Sequence, residues 1–377
     1  MTEPREITLQ FLVKFRSGQD YKHVDDPAGS VPVYGSGGIF ASASDYLYDG
    51  ESVLFGRKGT IDRPAYVCGK FWTVDTMFYT ELREGVSGRW LYYWATTIPF
   101  GLYSTDTALP SMTSSVLGRI KAPLVPHVQQ CAIADYLDRE TAEIDAMLAK
   151  LNSLSEALAE RKVLVIQNLT QRSDSGVRWT AVPTAHLFSS IGSGTTPKGL
   201  HYYAESGSGI PWVTTSELRE SVIVETTQDV TEEAVGALSA LRVHPRGSVV
   251  IAMYGATIGR LAMLGVDAAM NQACCAFSSP RNVDSRFFYY ALWGQRGELI
   301  LEANGGGQPN ISQGFLRRWR VPCPPLVEQR RIADHLDEVT GRIDAMVAKV
   351  AELKALLVER RAALITDVVT GRKQVPA

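Results

Sequence analysis

The sequence predicts an α+β fold laid down twice: two globular mixed α/β domains separated by two long helices that form an antiparallel coiled coil, a pseudo-two-fold internal duplication. Three observations carry this. The stretch "IADYLDRETAEIDAM" (133–147) returns as "IADHLDEVTGRIDAM" (332–346), with ten of fifteen letters unchanged. Both copies carry apolar residues every seven positions. The regions ahead of them hold apolar and β-branched runs cut by glycine turns.

The repeat extends beyond that stretch at the same offset of 199. Upstream, Pro110 matches Pro309, Leu117 matches Leu316, Pro123 matches Pro322, Pro126 matches Pro325 and Gln130 matches Gln329. Downstream, Lys150 matches Lys349, Leu158 matches Leu357 and Ile166 matches Ile365. The block is roughly sixty residues long, a tandem duplication of one large unit and not a solenoid of short repeats. Ahead of the two blocks, "ESVLFGRKGTIDR" (51–63) resembles "GSVVIAMYGATIGR" (247–260), and the remainder diverges. The implied domains are 1–122, the helix region 123–175, 176–321 and the helix region 322–377.

Within each block the spacing predicts a helix. Leu137, Ile144, Leu151 and Leu158 fall seven apart, as do Leu336, Ile343, Val350 and Leu357. Met147 with Leu154, and Met346 with Leu353, are expected to add a second apolar row. Pro126 and Pro325 stand at the start, with Gly176 and Gly371 near the end. Each helix would run about 40 residues, or ~60 Å. A long helix with one narrow apolar stripe needs a partner along its length, and the other copy can supply it. Packed antiparallel, the pair would act as a strut that fixes a distance; a simple spacer or self-association helix is the competing reading.

In the regions ahead of the helices, "SVLFG" (52–56), "TVDTMFY" (73–79), "IPWVTTSEL" (210–218) and "SVVIAMYG" (248–255) read as strands. "YGSGG" (34–38), "SIGSGTTPKG" (190–199), "ESGSG" (205–209) and "NGGGQPN" (304–310) read as turns. The aromatic segments "SGRWLYYWAT" (87–96) and "SRFFYYALWGQ" (285–295) are expected to be buried helices in corresponding places, with base stacking as the alternative. In "FGRKGTIDR", Arg57 and Lys58 would project from a turn after a strand, where cations can reach a DNA groove or phosphates. Thr60 and Arg63 follow in the same turn, and Ser36 sits in the "YGSGG" turn. Tyr254, Thr257 and Arg260 occupy the matching segment of the second half. "SGTTPKG", with Thr195, Thr196 and Lys198, could cradle an anion with backbone amides. Gln308 and Asn310 could hydrogen-bond base edges, since Asn and Gln pair with adenine. Each of these loops could equally be an ordinary exposed turn.

Composition narrows the class. Hydrophobic residues make up 45% and charged residues 21%, as in a folded globular chain. No apolar run reaches membrane-helix length, and "MTEPREITLQFLVKFRSGQD" lacks the pattern of a secretion signal. The five cysteines, Cys68, Cys131, Cys274, Cys275 and Cys323, form no CxxC. A reducing cytoplasmic setting is expected. Net charge is −2, against a freestanding nucleic-acid binder. Residues 176–325 nevertheless hold twelve basic side chains, all arginine except Lys198. There is no GxxxxGK[ST] loop, no dinucleotide fingerprint and no HExxH. "ELK" (352–354) lies in the heptad helix and has no Pro-Asp partner. The chain reads as a binder, not a catalyst.

With "PLVEQRRIADHLDEVTGRIDAM" (325–346), its first-half counterpart "PHVQQCAIADYLDRETAEIDAM" (126–147), "GSGTTPKG…YYAESGSGIPWVTTSEL" and "VPVYGSGG" in view, the chain resembles the specificity subunit of type I restriction–modification systems over nearly its whole length. The first copy has Gln129 where the second has Glu328. The resemblance implies two target-recognition domains, each reading one half of a split sequence in double-stranded DNA. It implies helices that hold the halves apart and dock methyltransferase subunits, two of them. Motor–nuclease subunits, also two, would join for cleavage. No cofactor is expected in this chain; S-adenosylmethionine, ATP and magnesium are expected on the partners. A scaffold that bridges two protein subunits without touching DNA is the alternative reading.

Overall fold

Two continuous helices, His127–Gln171 and Leu326–Val369, take up most of the repeated blocks. Each starts directly after a proline whose carbonyl accepts the first turn's bond: Gln130 N–H donates to Pro126 O at 2.9 Å and Gln329 N–H to Pro325 O at 3.0 Å. Proline suits that place because the first N–H groups of a helix have no intrahelical acceptor. The second helix ends at Gly371, which takes φ 75° while its N–H returns to Val368 O. The computed structural model describes residues 5–104, 110–171, 178–303 and 310–375. It divides into two compact units, Met1–Asn152 with Ala351–Ala377, and Ser153–Val350. Gly176, expected to end the first helix, lies outside the described residues.

Each unit takes one segment from each long helix, and within each unit the segments run antiparallel. In the first unit Ile133 and Leu137 share a core with Ile365 and Val368, while Asp145, further along, pairs with Arg361. In the second, Ile166 shares a core with Ile332 and Leu336, while Lys162, further back, pairs with Asp344. Leu137, Ile144, Leu158, Leu336, Ile343, Val350 and Leu357 are buried and Leu151 is half-buried. The second row is not the expected one: Met147, Leu154, Met346 and Leu353 stay 50%, 46%, 46% and 42% exposed. The row that turns inward is Thr141, Leu148, Ser155 and Lys162, with Thr340, Val347, Lys354 and Arg361. These lie four residues after the seam, not three, on the other flank of the stripe.

The first unit's central sheet is antiparallel, in the order Val13–Ser17, Met77–Leu82, Ser52–Gly56, Ala65–Val67. A second sheet orders Gly38–Ala43, Val31–Gly35, Lys70–Thr73, Tyr48–Asp49, with its inner pair parallel and Val33 opposite Trp72. The second unit repeats the plan. Phe188–Ser193, Cys274–Pro280 and Val249–Ala252 form the same three-strand core, extended by Leu261–Leu264 and Val222–Ile223. Its other sheet also contains a parallel pair, Ile210–Val213 with Ala269–Met270. A short antiparallel pair closes each unit: Glu6–Thr8 with Lys121–Pro123, and Ala181–Pro183 with Arg320–Pro322. "TVDTMFY" is not one strand. Thr73 finishes one sheet, Val74 turns back with Met77 N–H on its carbonyl, and Met77 starts the other sheet. "IPWVTTSEL" is a strand only to Val213, because the Thr214–Glu217 capping box bends the chain into a helical turn. Likewise Ser190–Ser193, read as part of a turn, completes a strand.

The aromatic segments form the helices Gly88–Ala95 and Ser285–Gly294. Ser87 and Asp284 cap their N-termini through the side chain. Trp90, Phe287 and Phe288 are fully buried, so these rings are core and not stacking platforms.

Candidate nucleic-acid interface

Each aromatic helix is bolted to the long helix behind it by the same four side chains. In the first unit the Arg89 guanidinium pairs with Asp138, the Tyr93 hydroxyl donates to Asp138 at 2.6 Å, and Thr141 stands 3.1 Å from that hydroxyl. In the second, Arg286 donates to Asp337 at 2.7 Å, the Tyr290 hydroxyl donates to Asp337 at 2.8 Å, and Thr340 stands 3.1 Å away. Burial, then the hydrogen bond to Asp138, pushes the Tyr93 phenol up to about 12; burial also raises Tyr290. Buried glutamines complete the joint. Gln130 accepts from Ser87 N–H and donates to Val125 O, and Gln329 accepts from Asp284 N–H and donates to Pro324 O, all at 2.8 Å. Much of the letter-for-letter repetition therefore serves to seat each α/β domain on its own helix.

That seating presents one end of each central sheet. In the first unit Ser17 pairs with Phe78 and Gly56 with Met77, so the loops after both strands leave at the Met77 end of the middle strand. In the second, Ser193 pairs with Cys275 and Ala252 with Cys274, so both loops leave at the Cys274 end. All candidate contact residues except Ser36, Gln308 and Asn310 lie in these loops, and Ser36 and Asn310 pack beside them. A side chain built on Gly59 would lie 3.2 Å from Ser36 Oγ, and Gly59 N–H donates to Pro110 O.

The two second loops match atom for atom where they start. Arg57 N–H donates to Thr76 O and Met253 N–H to Ala273 O, both at 2.8 Å. Met112 N–H returns to Arg57 O at 2.9 Å and Ile311 N–H to Met253 O at 2.8 Å. Lys58 then bridges Ser111, and Tyr254 bridges Asn310. Gly59 and Gly255 both turn at positive φ, 83° and 82°. Ala256 is an extra residue of the second loop, so Thr60 and Thr257 realign one position later. The backbone thus places Lys58 over Tyr254 and Arg57 over Met253.

The expectation of two projecting cations changes accordingly. Arg57 is half-buried: its guanidinium lies 5.8 Å from the Phe78 ring centre and donates to Asp75 O at 3.4 Å. Lys58 and Arg63 are exposed, and the Thr60 carbonyl packs against Gly56. In the second unit Tyr254, Thr257 and Arg260 are half-buried within one loop, which Arg260 N–H closes onto Thr257 O. Gly194 N–H and Thr195 N–H are already bonded to Asn271 O and Met270 O, so those two amides are not open to an anion. The Thr196 hydroxyl donates to Gln272 Oε1 at 2.6 Å, and Lys198 is exposed. Asn310 is exposed, whereas Gln308 lies outside the described residues.

Sequence reading missed a first-half partner for "SGTTPK". The segment "SGQDYK" (17–22) matches it at an offset of 176. A side chain on Gly18 would fall 2.5 Å from Thr73 O and one on Gly194 1.7 Å from Met270 O, so each loop can cross the parallel strand pair only as glycine. Gln19 N–H donates to Thr73 O at 2.8 Å and Thr195 N–H to Met270 O at 3.1 Å. Each next carbonyl takes an indole N–H: Trp72 to Gln19 O at 3.0 Å, Trp212 to Thr195 O at 3.3 Å. The tryptophans come from opposite members of the parallel pair. The recurring Ser-Gly-x-x-x-Lys was the available signal, hidden because its offset is not 199.

Among the described residues no cluster of three or more His, Cys, Asp or Glu is placed to hold a metal, and no helix is long and apolar enough to cross a membrane. The buried Cys274 and Cys275 thiols are raised by burial, Cys275 to about 12.

Two α/β domains built on one plan, each with loops gathered at one end of its central sheet, define a protein of duplicated design. The sequence matches the family described as "Type I restriction modification DNA specificity domain" over residues 12–156 and 178–355, and the chain belongs to that family. It is 25% identical over 261 residues to the Type I restriction enzyme EcoR124I/EcoR124II specificity subunit of Escherichia coli, covering 66% of this chain and 62% of that protein. The match thus spans less than two thirds of that relative. It is 30% identical over 106 residues to the EcoBI specificity subunit of Escherichia coli, 28% of this chain and 22% of that protein. The fold is shared with a chain solved for the complex assembly and conformational transition of a type I R-M system, with a TM-score of 0.70, 17% identity and 98% of each chain covered. The HsdS subunit from Thermoanaerobacter tengcongensis has a TM-score of 0.53 at 15% identity, covering 99% of this chain and 98% of that one.

Proposed function

We propose that this chain is the DNA-reading, non-catalytic subunit of a type I restriction–modification complex, each α/β domain contacting one half of a split sequence in double-stranded DNA. The observation that supports this most directly is the pairing of Lys58 with Tyr254. The same backbone frame holds a cation beside Ser111 in one unit and a phenol beside Asn310 in the other. Equivalent frames with different side chains suit two readers of different bases. The long helices set the gap between half-sites and dock two methyltransferase subunits, which bring S-adenosylmethionine. Two motor–nuclease subunits using ATP and magnesium complete the cleaving form, and the complex works in the cytoplasm.

Methylation-sensitive sequencing of DNA from cells carrying the chain and its methyltransferase partner tests this. A split methylated sequence is the expected result, and exchange of residues 176–321 for another such domain should rewrite one half only. No change in either half sinks the proposal. Four residues inserted near Leu158 lengthen the helix by ~6 Å, so the gap should widen by about one or two base pairs of ~3.4 Å.

A further inference from the structure

We propose that Gly18–Lys22 and Gly194–Lys198 are a matched pair of phosphate grips, with Lys22 and Lys198 as the gripping cations, and that base reading is left to the loops carrying Lys58 and Tyr254. The assignment rests on the DNA-reading proposal above and adds a division of labour within it. Both grips leave the same end of the central sheet. Both begin at a glycine pressed against a strand carbonyl, and both are tied by an indole N–H to the next carbonyl. Both carry a lysine four residues after the glycine. Lys22 and Lys198 are exposed, and neither forms an ion pair among the described residues. Lys198 is also the one lysine in residues 176–325.

What the two units hold in common separates the two roles. Readers of different sequences must differ where they touch bases, as Lys58 and Tyr254 do. The part of the duplex that does not change with sequence is its phosphate backbone. A feature kept in both units, on a frame rigid enough to need glycine, belongs to the constant part. Lysine, a compact point charge on a flexible stem, suits phosphate without the paired geometry that arginine brings to guanine.

The test uses the full chain with its methyltransferase partner, a duplex bearing the methylated sequence and a scrambled duplex, titrated across a range of salt. Lys22→Ala or Lys198→Ala should weaken both duplexes by the same factor, about fivefold near 0.15 M salt, and reduce the salt slope by about one. The double variant should reduce it by about two, Lys→Arg should restore most of the binding, and the methylated sequence should stay the same. Unchanged affinity, or loss confined to the cognate duplex with an altered methylated sequence, overturns the grip assignment. A wild-type complex that fails to distinguish the two duplexes removes the reading proposal and the grips with it.

Discussion

Asp145 and Arg361 meet at 3.0 Å in the first unit, and the pair recurs in the second as Asp344 and Lys162 at 2.7 Å. Each acid maps onto the other by the 199-residue offset, and so does each cation. The duplication thus reaches the individual ion pairs on the long helices, each formed between the two copies. The two partners of the second pair differ in surroundings. Asp344 is 60% exposed, whereas the Lys162 stem is sheltered and its ammonium lies 4.8 Å from the Trp293 ring centre.

Asp344→Ala is therefore expected to cost no more than about 1 kcal/mol, as exposed ion pairs do. Lys162→Ala should cost more, through lost contact with Trp293. Hydrogen exchange of residues 326–350 under mild denaturant would measure both, and equal costs would contradict the argument.

Gln329 is fully buried and answers both Asp284 N–H and Pro324 O. Gln329→Leu keeps the bulk and strands both groups, at about 1–3 kcal/mol each. Gln130→Leu should do the same to Ser87 and Val125 in the first unit. Protection of amides in Ser285–Gly294 or Gly88–Ala95 should fall selectively in the unit that carries the change.

Gly194→Ala drives a methyl into Met270 O, a strand carbonyl held in a sheet. Overpacking of this kind costs about 1–3 kcal/mol, so a lower urea midpoint for the second unit is expected. Gly207→Ala, at an exposed turn with a φ of 82° and open space where the methyl would stand, should cost less.

His244 is buried with its Nδ1 3.0 Å from Ser278 Oγ, while Nε2 has no hydrogen-bond partner among the described residues. Burial, with a smaller contribution from Arg242, lowers its pKa. The unfolded chain then binds a proton that the folded chain refuses, so stability falls as pH drops below about 6.5, the unfolded value. His244→Gln should flatten that part of the profile in denaturation measured between pH 5 and pH 7.

The helices, their antiparallel seam and the buried aromatic helices were legible because each is written as local periodicity or as a repeated word. Leu137 and Leu336 announce themselves by spacing alone. The second row was misread because Met147 and Leu154 are apolar, yet lie three residues past the seam, while the inward row at four is partly Thr, Ser and Lys. The interface was half legible. Lys58 could be placed on a tip from its glycine turn, but Arg57 has the same letters around it and folds back on Phe78. Only backbone bonds separate the two. Gly18–Lys22 was hidden because its Ser-Gly-x-x-x-Lys stands 176 residues from that of Gly194–Lys198 and not 199, and because the indole that ties each loop is donated from a different strand of the pair.

That exchange of tryptophans limits how new specificities can arise by recombination. A crossover inside the long helices swaps a whole domain and keeps its indole. A crossover within a domain, after Val31–Gly35 in one parent or Ile210–Val213 in the other, yields a hybrid with either two tryptophans competing for one carbonyl or none. Natural shuffling of such genes should accordingly leave its breakpoints in the repeated helices and spare the sheets.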